Sequence, residues 1–308
     1  MKAVLYHYVR PANPEMPYFR YLHIDNFRRQ LDHFEKEYGF VTQDEWAVAL
    51  RTGDVSVGAD KIILTFDDAI SCHYTHVFPE LIDRGLWGIF YVPAQPYITK
   101  RMLDVHRVHV LCGSYDGEQL FEVAQHMMTD AMIPFEKRSE FRQRTYTSQS
   151  NEPGVSEFKR LINYFCLEQF RAGVLDDISG HIGAVVTQPN YYVSEKQLSE
   201  MHRAGMTLGS HTVSHPVMSK LSRPEQNTQI TQSFDLLEQL GVTAPRTYCH
   251  PYGGFHSFDA NTVALLDAHN VSWSFNVESR DITNSDLATG RQFLPRFDCN
   301  EFPYGAAS

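Results

Sequence analysis

The side chains best suited to chemistry lie in three short segments of the chain. Asp67 and Asp68 are adjacent carboxylates at the end of an apolar run, and His211 and His215 are imidazoles spaced four residues apart. The third segment is Pro-Tyr-Gly-Gly at residues 251–254. Two imidazoles and one carboxylate can hold a divalent metal with an open position for water, which leaves the second carboxylate as a base. This inventory is typical of a hydrolytic metal site.

Each segment taken alone also has an ordinary structural interpretation. The two carboxylates suit a helix cap and a surface acid, the two histidines suit a polar loop, and residues 251–254 suit a simple turn. Adjacent residues at a strand end point in different directions, so one carboxylate can bind metal while its neighbour acts as base. Two imidazoles four residues apart reach one ion if they lie on a helical turn. The joint occurrence of all three segments favours the chemical interpretation.

Strand and helix signals alternate along the chain and place the three segments at strand ends. The strands that we predict span residues 4–9, 61–66, 87–92, 206–209, 246–249, 271–277 and 292–297. The main predicted helices span residues 25–38, 194–204, 222–241 and 258–269, and another opens at a capping box formed by Thr42 and Glu45. This alternation predicts a parallel sheet with flanking helices, a class of fold that builds its sites at the carboxyl ends of strands.

One long stretch interrupts the alternation. From about residue 103 to 189 the strand signal is weak, and the periodicity predicts helices at 116–129 and 156–170 with a polar loop at 138–153. We interpret 103–189 as a helical insertion, or cap, within one domain that spans residues 1–308.

Composition excludes several classes of protein. Of the 308 residues 43% are hydrophobic and 21% are charged, which is typical of a globular protein. The net charge of −10 provides no basic footprint for nucleic acid. No apolar run approaches the roughly 18 residues of a membrane helix. Five scattered cysteines without a CxxC pattern fit a reducing compartment. Residues 1–10 lack the features of a secretory signal, so we expect a cytoplasmic protein of undetermined oligomeric state.

Taken in order, the three segments resemble the first three motifs of the polysaccharide deacetylases, the NodB-homology family or carbohydrate esterase family four. The matching stretches are TFDD at residues 65–68, SHTVSH at 210–215 and PYG at 251–253. LYHYV at residues 5–9 resembles the start of the biofilm poly-N-acetylglucosamine deacetylase branch. Apart from that opening, the resemblance runs from about residue 61 to 254 and does not cover the insertion.

The resemblance implies a fold, a cofactor and a set of roles. The fold would be a distorted (β/α)7-type barrel, and the cofactor would be a divalent metal, most commonly zinc, with nickel, cobalt and manganese as alternatives. Asp68, His211 and His215 match the metal ligands of the family, and Asp67 matches its catalytic base. Tyr252 matches the residue whose backbone N–H helps to hold the oxyanion.

The base-orienting arginine of the family is missing from its usual place. Many members have arginine two residues before the proline of the third motif, whereas this chain has Cys249. Arg296 on the last predicted strand is the replacement that we expect, with Arg280 as the second candidate.

The source of the general acid is a second departure from the family. Its late Leu-x-His motif is not recognisable in this chain. His7, at the end of the first predicted strand, is the favoured candidate, with His250 and His256 beside the third motif as alternatives.

These observations predict a metal-dependent hydrolase that removes an N-acetyl group from a sugar. Since no export signal is evident, we expect the partner to be an acetylated nucleotide-linked, lipid-linked or oligosaccharide precursor of a surface polysaccharide or O-antigen. A deformylase or O-acetyl esterase acting on a sugar is one alternative. A carbohydrate-binding protein that kept the metal site but lost catalysis is another, because two family motifs are missing.

Overall fold

The computed structural model describes residues 1–129, 132, 154–184 and 190–307. The predicted loop at 138–153 lies outside the described residues. The chain divides into two compact units. The first unit comprises Met1–Ala12, Tyr21–Lys100 and Asn190–Ser308, and the second comprises Asn13–Arg20 and Arg101–Pro189.

All strands of the described residues belong to the first unit. They are β1 Lys2–Tyr6, β2 Val9–Arg10, β3 Leu22–His23, β4 Ile62–Phe66, β5 Ile89–Val92, β6 Thr207–Ser210, β7 Thr247–Cys249, β8 Trp273–Phe275 and β9 Phe297–Asp298. Seven of them form one sheet in the order β8-β7-β6-β5-β4-β1-β9, and β2 pairs with β3. Every pairing in the seven-stranded sheet is parallel.

Helices connect the strands of the first unit and make up the regular structure of the second. Those of the first unit up to Lys100 are α1 Ile24–Glu37, α2 Gln43–Thr52, α3 Phe78–Asp83 and α4 Gln95–Ile98. In the described part of the second unit they are α5 Asp104–Ser114, α6 Gly117–Met127, α7 Val155–Arg160 and α8 Glu168–Ile182. The first unit then continues with α9 Glu195–Arg203, α10 Arg223–Gln239, α11 Ala260–Ala268 and α12 Asn284–Thr289. Within the described parts of the chain, no helix is both long and apolar enough to cross a membrane.

The last strand brings the two edges of the sheet together. β9 pairs with β1 on one side. On the other side, Leu294 forms a parallel bridge with Phe275 of β8, and Glu278 N donates to Arg296 O at 3.1 Å. Residues 294–298 therefore join both edges, and the predicted distorted (β/α)7 barrel is confirmed.

Alternation along the strands divides the core of the first unit into two layers. One layer lies between the sheet and its helices and includes Tyr6, Phe27, Phe66, Phe90, Leu208 and Tyr248. The other lies inside the curved sheet and includes Ala3, Ile63, Tyr91, Cys249, Trp273 and Phe275. Because a side chain on a strand alternates between these layers, a residue just past a strand end is directed either into the barrel mouth or under the helices.

Helix starts were predictable because they depend on local chemistry. Reciprocal capping bonds open α2 at Thr42 and Glu45, α9 at Ser194 and α10 at Ser222, as predicted. Three regular elements differ from prediction. The first predicted strand is interrupted, because β1 ends at Tyr6 and β2 begins at Val9.

The predicted helix at 156–170 and the predicted strand at 292–297 are both wrong in part. The helix is broken, since a wide turn at Leu161–Phe165 ends with Cys166 in an extended conformation before α8 begins. In the last strand, residues Arg291–Phe293 form a helical turn and regular pairing starts only at Phe297. Pro295 explains the delay, because proline has no N–H for the ladder.

Candidate metal and catalytic site

The candidate site lies where the strands of the first unit end. Asp67 and Asp68 directly follow β4, and Asp67 N donates to Tyr6 O at 3.0 Å, one step beyond the regular pairing of β1 with β4. His211 directly follows β6, and its N–H donates to Val92 O at 3.0 Å. These backbone bonds hold the three side chains at the carboxyl ends of the strands.

Asp68, His211 and His215 form one group of possible metal ligands. Asp68 Oδ1 lies 3.5 Å from His211 Nε2 and 3.7 Å from His215 Nε2. All three residues are buried. Two donors that bind one tetrahedral zinc at about 2.0–2.2 Å are separated by roughly 3.4 Å. The donor set and its spacing therefore fit a single divalent ion.

A hydrogen bond fixes the orientation of the His211 ring. His211 Nδ1–H donates to Cys249 O at 2.9 Å, which leaves the Nε2 lone pair directed toward Asp68. Burial lowers the pKa of His211 and outweighs the opposing effect of Asp67 and Asp68. The ring is thus held as the neutral tautomer that binds metals.

The two histidines do not lie on a helical turn, so that part of the sequence interpretation is wrong. Residues 211–215 are irregular, and φ is +65° at Thr212 and +56° at His215. His215 N donates to Thr212 Oγ1 at 3.0 Å, which stabilises this turn. Asp68 and Tyr252 also have positive φ, at +83° and +64°. Such left-handed backbone is costly for non-glycine residues, and it clusters here at the candidate site.

Asp67 forms a two-pronged ion pair with Arg296. Arg296 Nη1 donates to Oδ1 at 2.9 Å and Nη2 donates to Oδ2 at 2.8 Å. Nη1 also donates to Thr65 Oγ1 at 3.0 Å, and Nε donates to Asn276 O at 3.1 Å. Burial alone would raise the pKa of Asp67, but the charge and hydrogen bonds of Arg296 lower it to about 2. Asp67 is therefore ionised throughout the neutral range.

Apolar and thiol groups surround this ion pair. The guanidinium carbon of Arg296 lies 5.9 Å from the ring centre of Tyr91 and 5.7 Å from that of Phe275. Arg296 Nη2 donates to Cys249 Sγ at 2.9 Å, and the Cys249 thiol lies 3.5 Å from Asp67 Oδ2. Burial raises the pKa of Cys249, which keeps the thiol neutral.

A second set of potential ligands overlaps the first. Asp67, His211 and Cys249 also offer donor atoms within 4.8 Å of one another. Arg296 already binds both Asp67 and Cys249, so a cation at this position would have to displace a guanidinium. The geometry therefore favours the group around Asp68 as the metal site.

His7 and Tyr252 also lie at the carboxyl ends of the strands. His7 Nε2 is 3.9 Å from Asp68 Oδ2, and the His7 side chain is 42% exposed. The Tyr252 ring packs against His215 with ring centres 4.7 Å apart. The structure thus brings together all seven of the residues that the sequence proposed for metal binding and catalysis.

Two of the three second-choice residues, Arg280 and His250, make their polar contacts elsewhere. Arg280 pairs with Asp286 at 2.8 Å, away from Asp67. His250 is buried, its Nε2–H donates to Gln292 O at 2.7 Å, and burial lowers its pKa to about 3, which is unsuited to a general acid. The third, His256, accepts a hydrogen bond from Ser219 Oγ through its backbone carbonyl at 2.7 Å.

Sequence reasoning missed His73. This buried residue donates from Nε2–H to the backbone carbonyl of His7 at 2.7 Å. It follows Asp68 by five residues, but that spacing matches no pattern that would have distinguished it from the other histidines of the chain.

Comparison with known proteins supports the same family in sequence and in fold. A family model described as polysaccharide deacetylase matches residues 177–273, which include His211, His215 and Tyr252. The peptidoglycan-N-acetylmuramic acid deacetylase PdaC of Bacillus subtilis is 29% identical over 107 residues, or 32% of this chain. This match covers 23% of PdaC, so the chain spans about a quarter of the length of that curated relative.

Solved structures with this fold cover nearly the whole chain. The Streptococcus pyogenes deacetylase PplD, solved with acetate, aligns with a TM-score of 0.59 and 15% identity over 97% of this chain and 91% of its own. IcaB from Ammonifex degensii aligns at 0.55 and 18% identity over 96% and 90% of the two chains. The BpsB deacetylase domain from Bordetella bronchiseptica aligns at 0.52 and 13% identity over 96% and 95%. These structures show the fold, and the family model over residues 177–273 confirms the resemblance to the polysaccharide deacetylases.

Proposed function

From the chain's resemblance to the polysaccharide deacetylases in motifs, matched segment and fold, we propose that it is a metal-dependent carbohydrate N-deacetylase. The observation that carries this proposal is that two adjacent carboxylates have different partners. Asp67 is held by Arg296, whereas Asp68 faces His211 and His215. Metal-assisted hydrolysis requires a metal site with a base beside it, and these two carboxylates can provide both.

The metal of the proposal would be held by Asp68, His211 and His215. A divalent cation at this position polarises an acyl carbonyl and lowers the pKa of a water molecule toward neutrality. Two imidazoles with one carboxylate suit zinc, while nickel, cobalt and manganese are alternatives that the donor set also accepts. His211 is prepared for this role by its bond to Cys249 O.

Asp67 serves as the base in the proposed reaction. Its low pKa keeps the carboxylate ionised, and Arg296 fixes the plane of both oxygens. A fixed carboxylate beside the attacking water accepts its proton without first having to reorient.

Two further residues complete the proposed reaction. The Tyr252 backbone N–H donates to the developing oxyanion, an interaction typically worth about 2.7–4 kcal/mol to the transition state. His7 gives a proton to the nitrogen of the leaving amine. The exposed position of His7 near Asp68 suits this role, because the acid must meet the substrate and regain protons from water.

Part of the case for a non-catalytic carbohydrate-binding protein depended on the missing arginine of the third motif. Arg296, directly before β9, takes up that contact with two bonds to Asp67 in a buried setting. The pairing supports an intact base and therefore favours catalysis over simple binding.

The proposal extends to substrate and location. We place the protein in a reducing compartment, since all five of its cysteines are free thiols, among them Cys249 beside the base. The substrate class is an N-acetylated nucleotide-linked, lipid-linked or oligosaccharide precursor of a surface polysaccharide. Cell fractionation of the native host with an antibody to this chain tests the location.

The activity is tested by product analysis. Purified protein loaded with zinc is incubated with N-acetylglucosamine oligomers and with UDP-N-acetylglucosamine, and acetate and formate are both measured. Release of acetate together with a free amine is the expected result. Matched incubations with N-formylated and O-acetylated sugars separate the deformylase and esterase alternatives. Saccharide binding without any product under zinc, cobalt, nickel or manganese would overturn the proposal in favour of a binding protein.

A further inference from the structure

The side chain of His7 has little to hold it in place. It is 42% exposed, and its nearest charged atom, Asp68 Oδ2, is 3.9 Å away, beyond hydrogen-bond distance. His7 also lies in the gap between β1, which ends at Tyr6, and β2, which begins at Val9. The regular ladder of β1 therefore stops just before this residue.

The backbone of His7 is held by His73. His73 Nε2–H donates to His7 O at 2.7 Å. Among the described residues, Nδ1 of His73 has no hydrogen-bond partner, so the bond to His7 is the main polar contact of this ring. Burial lowers the pKa of His73 to about 4, which keeps the ring neutral at neutral pH. With Nδ1 as the unprotonated nitrogen, Nε2 carries the proton that His7 O accepts.

Packing fixes the His73 ring itself. The ring is fully buried, and its centre lies 5.6 Å from that of Phe66 and 5.8 Å from that of Phe90. Both phenylalanines belong to strands of the main sheet, β4 and β5. A neutral polar ring buried against two apolar rings is costly unless its donor is satisfied. The ring therefore has one favourable orientation, in which it donates to His7.

His73 is also tied by the chain to the metal ligand. It follows Asp68 by five residues, and its own N–H donates to Ile70 O at 2.8 Å. Positive φ at Asp68 and Ala69, +83° and +50°, turns the chain immediately after the ligand. This compact turn returns the chain to the end of β1, so a short segment sets the spacing between Asp68 and His7.

We propose that His73 is a positioning residue that places the general acid His7 beside the metal ligand Asp68. This inference rests on the proposed function, because it assigns His73 a part in delivering a proton to the leaving amine. His73 acts through the His7 backbone and does not touch substrate.

The role predicts a dependence on the leaving group. Hydrolysis of an N-acetyl group requires protonation of the amine as it departs, whereas an aryl acetate releases a stable phenolate without help from an acid. Misplacing the acid by about 1 Å can cost on the order of 100-fold in rate. Loss of the His73 bond should therefore slow amide hydrolysis and spare aryl ester hydrolysis.

The test compares His73→Leu and His73→Gln with the wild-type enzyme loaded with zinc, on chitooligosaccharides and on 4-methylumbelliferyl acetate. Leucine removes the donor, while the glutamine amide can replace Nε2–H. For leucine we expect amide kcat to fall roughly tenfold to 100-fold with KM within about twofold and the ester rate within about threefold. Glutamine should restore most of the amide rate. His76→Leu, an equivalent change three residues away, is the matched control and should leave both rates unchanged.

A double-variant comparison separates positioning from a general structural effect. In a His7→Ala background the His73→Leu change should have no further effect on amide kcat, because no acid remains to be placed. Equal losses on amide and ester, or a His73→Leu penalty that persists without His7, would overturn the inference while leaving the deacetylase proposal intact. If His73→Leu does not fold, the glutamine variant decides alone. Positioning predicts that His73→Gln keeps most of the amide rate and that His7→Ala still causes its full loss in the His73→Gln background. A wild-type enzyme that releases no acetate overturns the deacetylase proposal and this inference together.

Discussion

The two proton-handling residues of the proposed reaction are held in opposite ways. Asp67 is fixed through its side chain, with two bonds from Arg296 and a thiol contact from Cys249 in a buried setting. His7 is fixed through its backbone by His73, and its side chain is 42% exposed. Asp67 is held at its reactive carboxylate oxygens, whereas His7 is held only at its backbone carbonyl.

The difference follows from what a base and an acid must do. A base that remains ionised and fixed beside an attacking water benefits from a rigid, dry ion pair. An acid that protonates a departing amine must adjust to the substrate and recover its proton from solvent. We infer that the base side of the site tolerates little change, whereas the acid side tolerates more and depends on the leaving group.

The largest expected effect comes from the base. Asp67→Asn should lower deacetylation roughly 1000-fold or more, because an amide cannot accept the proton. Asp68→Asn is the matched variant, one residue away. Both should be inactive, but only Asp68→Asn should lose bound metal when metal content is measured by mass spectrometry. If Asp67→Asn turned over substrate at the wild-type rate, the assignment of the base would be wrong.

Breaking the ion pair should damage both activity and stability. Arg296→Gln leaves Asp67 buried without its cation, a change that typically costs about 3–5 kcal/mol of the free energy of unfolding. We expect deacetylation to fall roughly 100-fold and the urea midpoint to drop. Arg280→Gln, which removes a partly exposed arginine paired with Asp286, is the control and should change neither quantity by more than a small amount. Similar losses in the two variants would contradict the special role of Arg296.

Removing the proposed general acid His7 should slow amide hydrolysis selectively. His7→Ala should lower amide kcat roughly 100-fold but change aryl acetate hydrolysis only a few-fold, because a phenolate leaves without protonation. His33→Ala, a partly buried histidine on α1, serves as the control. The test is to measure the rates on amide and ester substrates side by side at one pH. A loss of the same size on both substrates would place His7 in metal or carbonyl binding instead.

Buried neutral histidines predict acid sensitivity of the fold. The pKa of His73 is lowered to about 4 in the folded state, below the value near 6.5 of an unfolded chain. Stability from this neutral ring is complete above pH 6.5 and falls by up to about 1.4 kcal/mol per pH unit as pH decreases toward 4. Urea unfolding at pH 7.5, 6.0 and 5.0 measures this slope. His73→Gln, which cannot protonate, should show a shallower slope than wild type, and an unchanged slope would contradict the buried neutral state.

The smallest effect is expected at the thiol. Cys249→Ser retains a group that can accept from Arg296 and donate to Asp67, so deacetylation should stay within about fivefold of wild type. Cys249→Val has no such group and should lower kcat more than serine does, with KM nearly unchanged. If valine and serine were equivalent in a kcat and KM comparison, the thiol would contribute only packing beside the base.

Sequence alone could predict the metal ligands and the base because their signal is local. Asp67 and Asp68 follow an apolar strand, and the histidine pair follows another, so the parallel topology brings them to one edge. The choice of Arg296 over Arg280 also depended on topology, since only Arg296 lies in the segment 294–298 that closes the barrel.

The rest depended on geometry that no local pattern reveals. The left-handed turns at Thr212 and His215 replaced the helical turn that the four-residue spacing suggested. The roles of Cys249 and His73 arise from contacts between segments far apart in sequence, 182 positions for Cys249 with Asp67 and 66 for His73 with His7. Such contacts depend on register and on side-chain packing in the folded chain, which periodicity does not determine.

The central claim, a metal-dependent deacetylase with ligands Asp68, His211 and His215, is tested most directly by metal reconstitution. Protein stripped with a chelator is titrated with zinc while acetate release from N-acetylglucosamine oligomers is measured, in parallel with His211→Ala and His215→Ala. We predict no acetate release without metal, recovery that saturates near one equivalent in the wild type, and no recovery at that level in either variant. Acetate release at the wild-type rate by the metal-free protein, or by the histidine variants, would contradict the account.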